Sequence, residues 1–297
     1  MQKGAVTILN LLSIATALFF KKGGIKIKKL IKIAFVLCAV ITLIHITHAL
    51  TLDRVIEYKE VTFYSQRWPK VLDGYRIAFV VDVHEMEYER IENIVKQMNY
   101  RSINLLLLGG DFFRRNGHYR RALEILSRTK TTDGIFGVEG NHDRYRELFA
   151  AKEDNGITPL SNSGLHIHEN FYLAGLEDLW RRNPCIATAT ASANYEDFVL
   201  LLTHNPDVSM SQDTTGIDLI VSGHTHGGQV TFFGLWAPYF TFRSTITNYG
   251  QRFASAWSTS RDGIPVFTSN GTGDYVPRIF ARPQVIIFTM RSYCDTN

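Results

Sequence analysis

Five short motifs in this chain bring carboxylate, imidazole and amide side chains together: Asp82-x-His84, Gly110-Asp111, Gly140-Asn141-His142-Asp143, Thr203-His204-Asn205 and Gly223-His224-Thr225-His226. Oxygen and nitrogen donors of this sort suit Mn, Fe, Zn or Ni, whereas the lack of thiolates disfavours a soft-metal or cluster site. The Asp-x-His and His-x-His spacings matter because residues i and i+2 of an extended strand end share one face. Glycine ahead of a ligand permits unusual backbone angles and close approach. Taken singly, a D-x-H or a G-D is mostly turn chemistry, and an isolated His is more often a structural residue. What sets these apart is their common setting, since each ends an apolar run.

Those runs are the elements that must position the polar residues. Residues 75–81 (YRIAFVV) read as a strand ending at Asp82, and residues 103–108 (INLLLL) as a strand covered on both faces. Residues 134–138 form a short third run before Gly140. Between them, residues 87–100 place Ile91, Ile94, Val95 and Met98 on one helical face, and residues 121–129 and 144–152 also read as helices. Later runs at 171–174, 198–203, 218–221, 266–268 and 285–290 are strand-like. Strands alternate with helices first and dominate afterwards, which predicts a layered α/β domain with a mixed sheet. Polar residues just past strand ends of such a sheet collect in a crevice at its edge.

In these motifs the chain resembles the calcineurin-like metallophosphoesterases, whose pattern is D-x-H, G-D, G-N-H-[DE], a lone His and G-H-x-H. The match covers roughly residues 75–290. The strings GHTHGGQ at 223–229 and PRIFARP at 277–283 resemble the membrane-anchored bacterial phosphodiesterase branch, which includes enzymes acting outside the cytoplasm and on lipid-linked pyrophosphates. The resemblance implies a four-layer αββα sandwich with a dinuclear metal site at the sheet edge. It implies one divalent ion on Asp82, His84, Asp111 and His226, and a second on Asp111, Asn141, His204 and His224, with Asp111 bridging. A bridging carboxylate suits two cations about 3.5–4 Å apart. The ions would be Mn, Zn, Fe or Ni. His142 would be catalytic rather than a ligand, protonating the leaving oxygen or stabilising its charge. Asp143 would orient His142 or cap the next helix. Val83 stands where several relatives carry Leu, which puts no ligand in doubt.

Other residues are weighed against ordinary structural roles. Arg114 and His118 follow Asp111 closely enough to contact a substrate phosphate, or are solvated loop residues. His166 and His168 alternate on an expected edge strand and read as surface residues. Arg181 and Arg182 would meet anionic headgroups or form a solvated face. Residues 230–253 carry eight aromatics, among them Phe232, Phe233, Trp236, Tyr239 and Phe240. They are expected to pack a β-hairpin core, the alternative being an apolar lip that takes an acyl chain or meets a membrane. The glycines at 271 and 273 form a turn rather than a P-loop, because no Gly-Lys-Ser/Thr follows.

Charge is divided unevenly. Residues 1–50 hold seven Lys and no acid, and the remainder holds 25 Lys or Arg against all 28 acids, so the parts carry +7 and −3. The larger part is therefore no basic nucleic-acid-binding body. Residues 31–50 (IKIAFVLCAVITLIHITHAL) are strongly polar only at Lys32, His45 and His48, and as twenty helical residues they span roughly the 30 Å of a hydrocarbon layer and predict a transmembrane helix. Residues 5–20 are a possible shorter first span. Lys21, Lys22, Lys26, Lys28 and Lys29 lie between and are expected to stay cytoplasmic. That places residues 51–74 as a connector and 75–297 as the catalytic domain outside the cytoplasmic membrane. Thr47-His48-Ala49 is a poor cleavage site, so the anchor is expected to be kept. Cys38 lies in the span and follows Leu37, too bulky for a lipoprotein site. Cys185 and Cys294 show no reason to pair, and no C-x-x-C motif exists.

The expected function is metal-dependent hydrolysis of a phosphoester or pyrophosphate by a membrane-anchored enzyme, with a lipid-linked substrate as one possibility. The alternatives are a catalytically silent membrane receptor of the same fold and a nuclease using the same site. The receptor reading would predict missing ligands, yet every position is filled. The nuclease reading lacks a basic footprint.

Overall fold

The computed structural model describes residues 27–112, 118–242, 245–273 and 277–293. The possible span at 5–20, Arg114 and Cys294 lie outside these residues, as does the side chain of His118. Two six-stranded sheets face each other. The first has the order β1 (Glu57–Ser65), β12 (Gln284–Ser292), β2 (Arg76–Val80), β3 (Leu105–Leu108), β4 (Ile135–Gly137), β5 (Thr158–Pro159). The second runs β10 (Ala256–Thr259), β11 (Pro265–Thr268), β9 (Leu219–Ser222), β8 (Phe198–Leu202), β7 (Phe171–Gly175), β6 (Ser163–His168). Strands β2, β3, β4 and β5 are parallel, as are β7, β8, β9 and β11, so in each sheet a block of carboxyl ends shares one edge.

Side-chain alternation builds the layers. Ile77, Phe79, Leu105 and Leu107 of the first sheet meet Phe171, Leu173, Leu200, Leu202 and Val221 of the second. The intervening Ala78, Val80, Leu106 and Leu108 point the other way, onto α2 (Tyr88–Tyr100) and α3 (His118–Leu126). A further helix, α4 (Tyr145–Asp154), contributes Ala151 to the same layer. Ile91, Ile94, Val95 and Met98 are the buried face of α2, as their spacing requires. On the far side, Tyr172, Ala174, Val199 and Leu201 pack on the short helices Ile186–Ala189 and Val208–Ser211. The result is a four-layer αββα sandwich. Both faces of β3 are covered, and each of its fully buried leucines contributes roughly 1.5–3 kcal/mol by burial.

Two expectations about local structure change. Residues 57–65, read as connector, form edge strand β1, paired in parallel with β12 over nine residues. Its Glu57, Lys59 and Glu60 mask the strand in the sequence, and such charges keep an edge from pairing with other chains. The aromatic segment after residue 230 is no β-hairpin core among the described residues. There it holds the isolated bridges Val230–Ile279 and Phe232–Trp236, the short helix Pro238–Phe242 and the 3-10 turn Gly250–Phe253.

Ahead of the domain, helix α1 (Ile27–Leu50) buries no residue, and Phe35, Val36, Leu37 and Leu43 are exposed along it. Among the described residues it alone is long and apolar enough to cross a membrane. At 1.5 Å per residue its 24 residues reach about 36 Å.

Candidate metal centre

Every motif singled out in the sequence follows the carboxyl end of a parallel strand. Asp82 and His84 follow β2, Asp111 follows β3, and Asn141 and His142 follow β4. His204 follows β8, and His224 and His226 follow β9. Because the sheets stack with these ends together, the two sets meet in one crevice. His84 Nε2 lies 3.4 Å from His226 Nε2 and 3.7 Å from Asp111 Oδ2. His204 Nε2 lies 3.4 Å from Asp111 Oδ2, 3.1 Å from Asn141 Oδ1 and 3.2 Å from His224 Nδ1. Asp82 Oδ1 is 4.0 Å from both His204 Nε2 and His226 Nε2. All seven expected ligand residues are thus within 4.0 Å of another member.

The backbone is bent to achieve this. Asp82, His84, Asp111, His224 and His226 all have φ between 47° and 72°, a region L-residues enter at a cost. Such strain concentrates at sites of function. Close packing of glycine makes room for the carboxylates. A Cβ on Gly140 would overlap the Asp111 side chain, and one on Gly271 (φ +72°) would stand 2.6 Å from Asp82 Cβ.

The donor set fits cations. The His204 ring places Nδ1 2.9 Å from the Gly109 carbonyl, which only accepts, so Nδ1 carries the proton. His224 Nε2 is likewise 2.9 Å from the Ile246 carbonyl and carries its proton there. In the neutral rings, the lone pairs on His204 Nε2 and His224 Nδ1 then face each other and the Asp111 and Asn141 oxygens. That arrangement repels unless a cation or a proton stands between. Asp82 Oδ1 is buried with no hydrogen-bond partner among the described residues, as a metal-directed oxygen would be. The backbone carbonyls holding His204 and His224 are the outer partners that orient ligating imidazoles.

Electrostatics agree. Burial pulls the His204 imidazole down, but the Asp111 carboxylate outweighs it and the group is held up at about 10. Burial, with the Asp111 charge adding to it, pushes Asp82 up to about 7. Burial pushes His224 down to about 3, the His204 charge adding to it, and His226 is well below the usual imidazole range for the same first reason. A cation entering this site must therefore displace a proton from His204 and part of one from Asp82. We expect about one to two protons released per chain at pH 7, and apparent metal affinity that climbs as pH rises from about 6 towards 10. Titration calorimetry in buffers of unlike ionisation enthalpy counts those protons, and a heat independent of buffer would contradict this charge arrangement.

His142 differs from its neighbours. Its side chain is exposed, its ring meets the edge of His84 at 5.6 Å between centroids, and its backbone N–H donates to Asp111 Oδ1 at 2.9 Å. Asp143 is used in a way the sequence does not reveal. It accepts the backbone N–H groups of Gly140, Asp111 and Phe112 at 2.8–2.9 Å. It thereby ties the loops after β3 and β4 together. The contiguous G-N-H-D string was the only signal of it.

The rim adds residues that no motif marked. Trp180 sets its ring against His224 at 4.4 Å, and Arg181 Nε donates to the Asn141 carbonyl at 3.0 Å, so that arginine is not simply a solvated charge. Both are turned inward by Asp178 Oδ1, which accepts their backbone N–H groups. The Gly271–Gly273 turn braces Asp82, with Gly273 N–H donating to the Asp82 carbonyl at 2.7 Å. His166 and His168 lie on edge strand β6 and pair with Asp197 and Asp133, at 2.8 and 3.1 Å. Cys38 and Cys185 are both free thiols.

Comparison with known proteins agrees with the geometry. Residues 75–228 match the family model described as calcineurin-like phosphoesterase. The chain is 26% identical over 258 residues to the uncharacterized metallophosphoesterase YkuE of Bacillus subtilis, covering 80% of this chain and 86% of that one. It is 26% identical over 236 residues to the phosphodiesterase YaeI of Escherichia coli, covering 73% and 82%. It is 25% identical to a zebrafish (Danio rerio) transmembrane protein with a metallophosphoesterase domain, over 79% of this chain but only 59% of the zebrafish protein. With the family model matched over more than half of its length, and its strand-end carboxylates and imidazoles gathered in one crevice, the chain belongs to the calcineurin-like phosphoesterases.

Proposed function

We propose that this protein is a membrane-anchored hydrolase that uses two divalent metal ions to cleave a phosphodiester or pyrophosphate. The observation that carries the reading is Asp111 Oδ2, which lies between His84 and His204 at 3.7 and 3.4 Å. One oxygen thus faces both halves of the ligand set, with His226 beyond one side, Asn141 and His224 beyond the other, and Asp82 Oδ1 4.0 Å from both His204 and His226. We assign Asp82, His84, Asp111 and His226 to one ion and Asp111, Asn141, His204 and His224 to the other. Divalent ions bound there supply Lewis-acid polarisation of phosphoryl oxygens and activation of a water nucleophile. The protein's own residues do the rest. The His204 and His224 rings are oriented by backbone carbonyls, and Asp143 keeps the two loops in register. His142, exposed at the mouth, protonates the leaving oxygen or stabilises its charge through its ring N–H.

Helix α1 is read as the anchor, with its lysine-rich start on the cytoplasmic side and the catalytic domain outside. A cavity of about 300 Å³ adjoins the ligand turn, lined by Thr225, Gly228, Gln229, Val230, Tyr239, Phe240 and Ile246. Its apolar lining supports a lipid-linked substrate over a soluble monoester, since a domain tethered at the bilayer meets such substrates at high effective concentration.

Purified full-length protein with added Mn or Zn, offered monoesters, diesters, pyrophosphates and lipid-linked members of each class, tests this reading. Turnover is expected on diesters or pyrophosphates, fastest where the substrate carries an acyl chain. A metal-loaded protein inert on the whole panel would favour the silent receptor. Equal rates on soluble and lipid-linked substrates would remove the lipid preference and leave the hydrolase.

A further inference from the structure

The last turns of α1 do not end in a free connector. His45 stacks on Phe232 at 5.3 Å and meets the rings of Phe233 and Phe280 at 4.6 and 4.9 Å. His48 stacks on Phe280 at 3.9 Å and bonds through Nδ1 to Asp53 Oδ2 at 2.7 Å. Asp53 is itself buried and accepts the backbone N–H groups of Phe280 and Ala281. Thr231 N–H donates to the Ile279 carbonyl, and Ile279 N–H donates to the Gln229 carbonyl. The helix end, the 279–281 segment and the loop after the ligand turn are therefore one packed unit.

This fixes a depth. His45 precedes Leu50, the last residue of α1, by five residues, or about 7.5 Å along the helix axis. The aromatics against His45 sit at that level, well before the helix ends. The same loop leaves Phe232 40%, Leu235 71%, Trp236 39% and Tyr239 41% exposed. Apolar and aromatic side chains about 5–10 Å inside the headgroup boundary are the pattern of an interfacial membrane contact.

We infer that the 230–239 loop is a second membrane contact, seated in the headgroup–acyl boundary of the bilayer that α1 crosses. The occupant of this exposed face is a lipid surface, because the face continues the surface of the spanning helix. The inference rests on the reading of α1 as an anchor. Its consequence is that the metal crevice is held at a set height and tilt over the bilayer, since the loop begins directly after the turn that carries His224 and His226.

Full-length protein reconstituted in vesicles of phosphatidylethanolamine and phosphatidylglycerol, with acyl chains brominated near the headgroup, tests it. The emission lost between wild type and Trp236→Phe reports Trp236. It is expected to be quenched about twofold relative to unbrominated vesicles, as for an indole at the boundary. The double variant Leu235→Trp, Trp236→Phe should restore a quenched signal, and position 235 is exposed enough to accept the change. Unquenched indoles at both positions, in protein that stays with the vesicles after alkaline carbonate, would overturn the loop contact and leave the anchor standing. Emission at these positions that varies with the protein-to-lipid ratio instead would also overturn it, pointing to a second copy of the chain. Release by carbonate would overturn the anchor and the loop contact together.

Discussion

Asp111→Asn is expected to lose metal and hydrolysis together, with turnover down about 10³-fold or more, the equivalent of roughly 4 kcal/mol of transition-state stabilisation. The substitution isolates charge from fold. Asp111 has φ 57°, and Asn is among the residues that tolerate that region best. The amide oxygen still accepts the His142 N–H that Asp111 Oδ1 accepts at 2.9 Å. What disappears is the anionic Oδ2 that faces His84 and His204. Elemental analysis alongside a hydrolysis assay reads both effects. Two metals at full occupancy in an active Asp111→Asn protein would sink the bridging assignment.

His142→Ala is expected to separate the two properties. Metal content should hold, because the ring of His142 is exposed and lies outside the cluster of facing donor atoms. Turnover should fall by about 10²-fold or more, as when a general acid is removed. The deficit should shrink on substrates with very good leaving groups, whose departing oxygen needs little protonation. Metal loss as steep as the loss of turnover would move His142 from chemistry into the ligand set.

The strands that position the site were legible because their environments are uniform. Ile103–Leu108 reads as an apolar run since both faces of β3 are covered. The helix face of Ile91, Ile94, Val95 and Met98 follows from its period. Edge strand β1 was not legible, since an edge exposed to water carries charges and loses the apolar signature. The aromatic segment misled for a related reason. Aromatic density reports that apolar surface must be covered and is silent on what covers it. Phe240 and Phe253 are buried in the domain, whereas Phe232 and Phe233 pack on the end of α1.

The sequence by itself determined which donor side chains stand at strand ends, because a metal ligand needs a particular donor atom and a strand end follows an apolar run. It also determined the family and the apolar length of α1. Only the tertiary structure decided how the pieces meet. The His224 N–H that donates to Asp82 Oδ2 at 3.0 Å comes from a residue 142 positions away. Local periodicity carries no information across such a distance. That contact exists because parallel pairing within each sheet puts the carboxyl ends of β2 and of β9 at an edge, and because the two sheets stack over a common core with those edges together. The roles of Asp143, Arg181 and the Gly271–Gly273 brace belong to the same class. Each is an ordinary polar or small residue whose partner is chosen by the stacking of the sheets rather than by its neighbours in the chain.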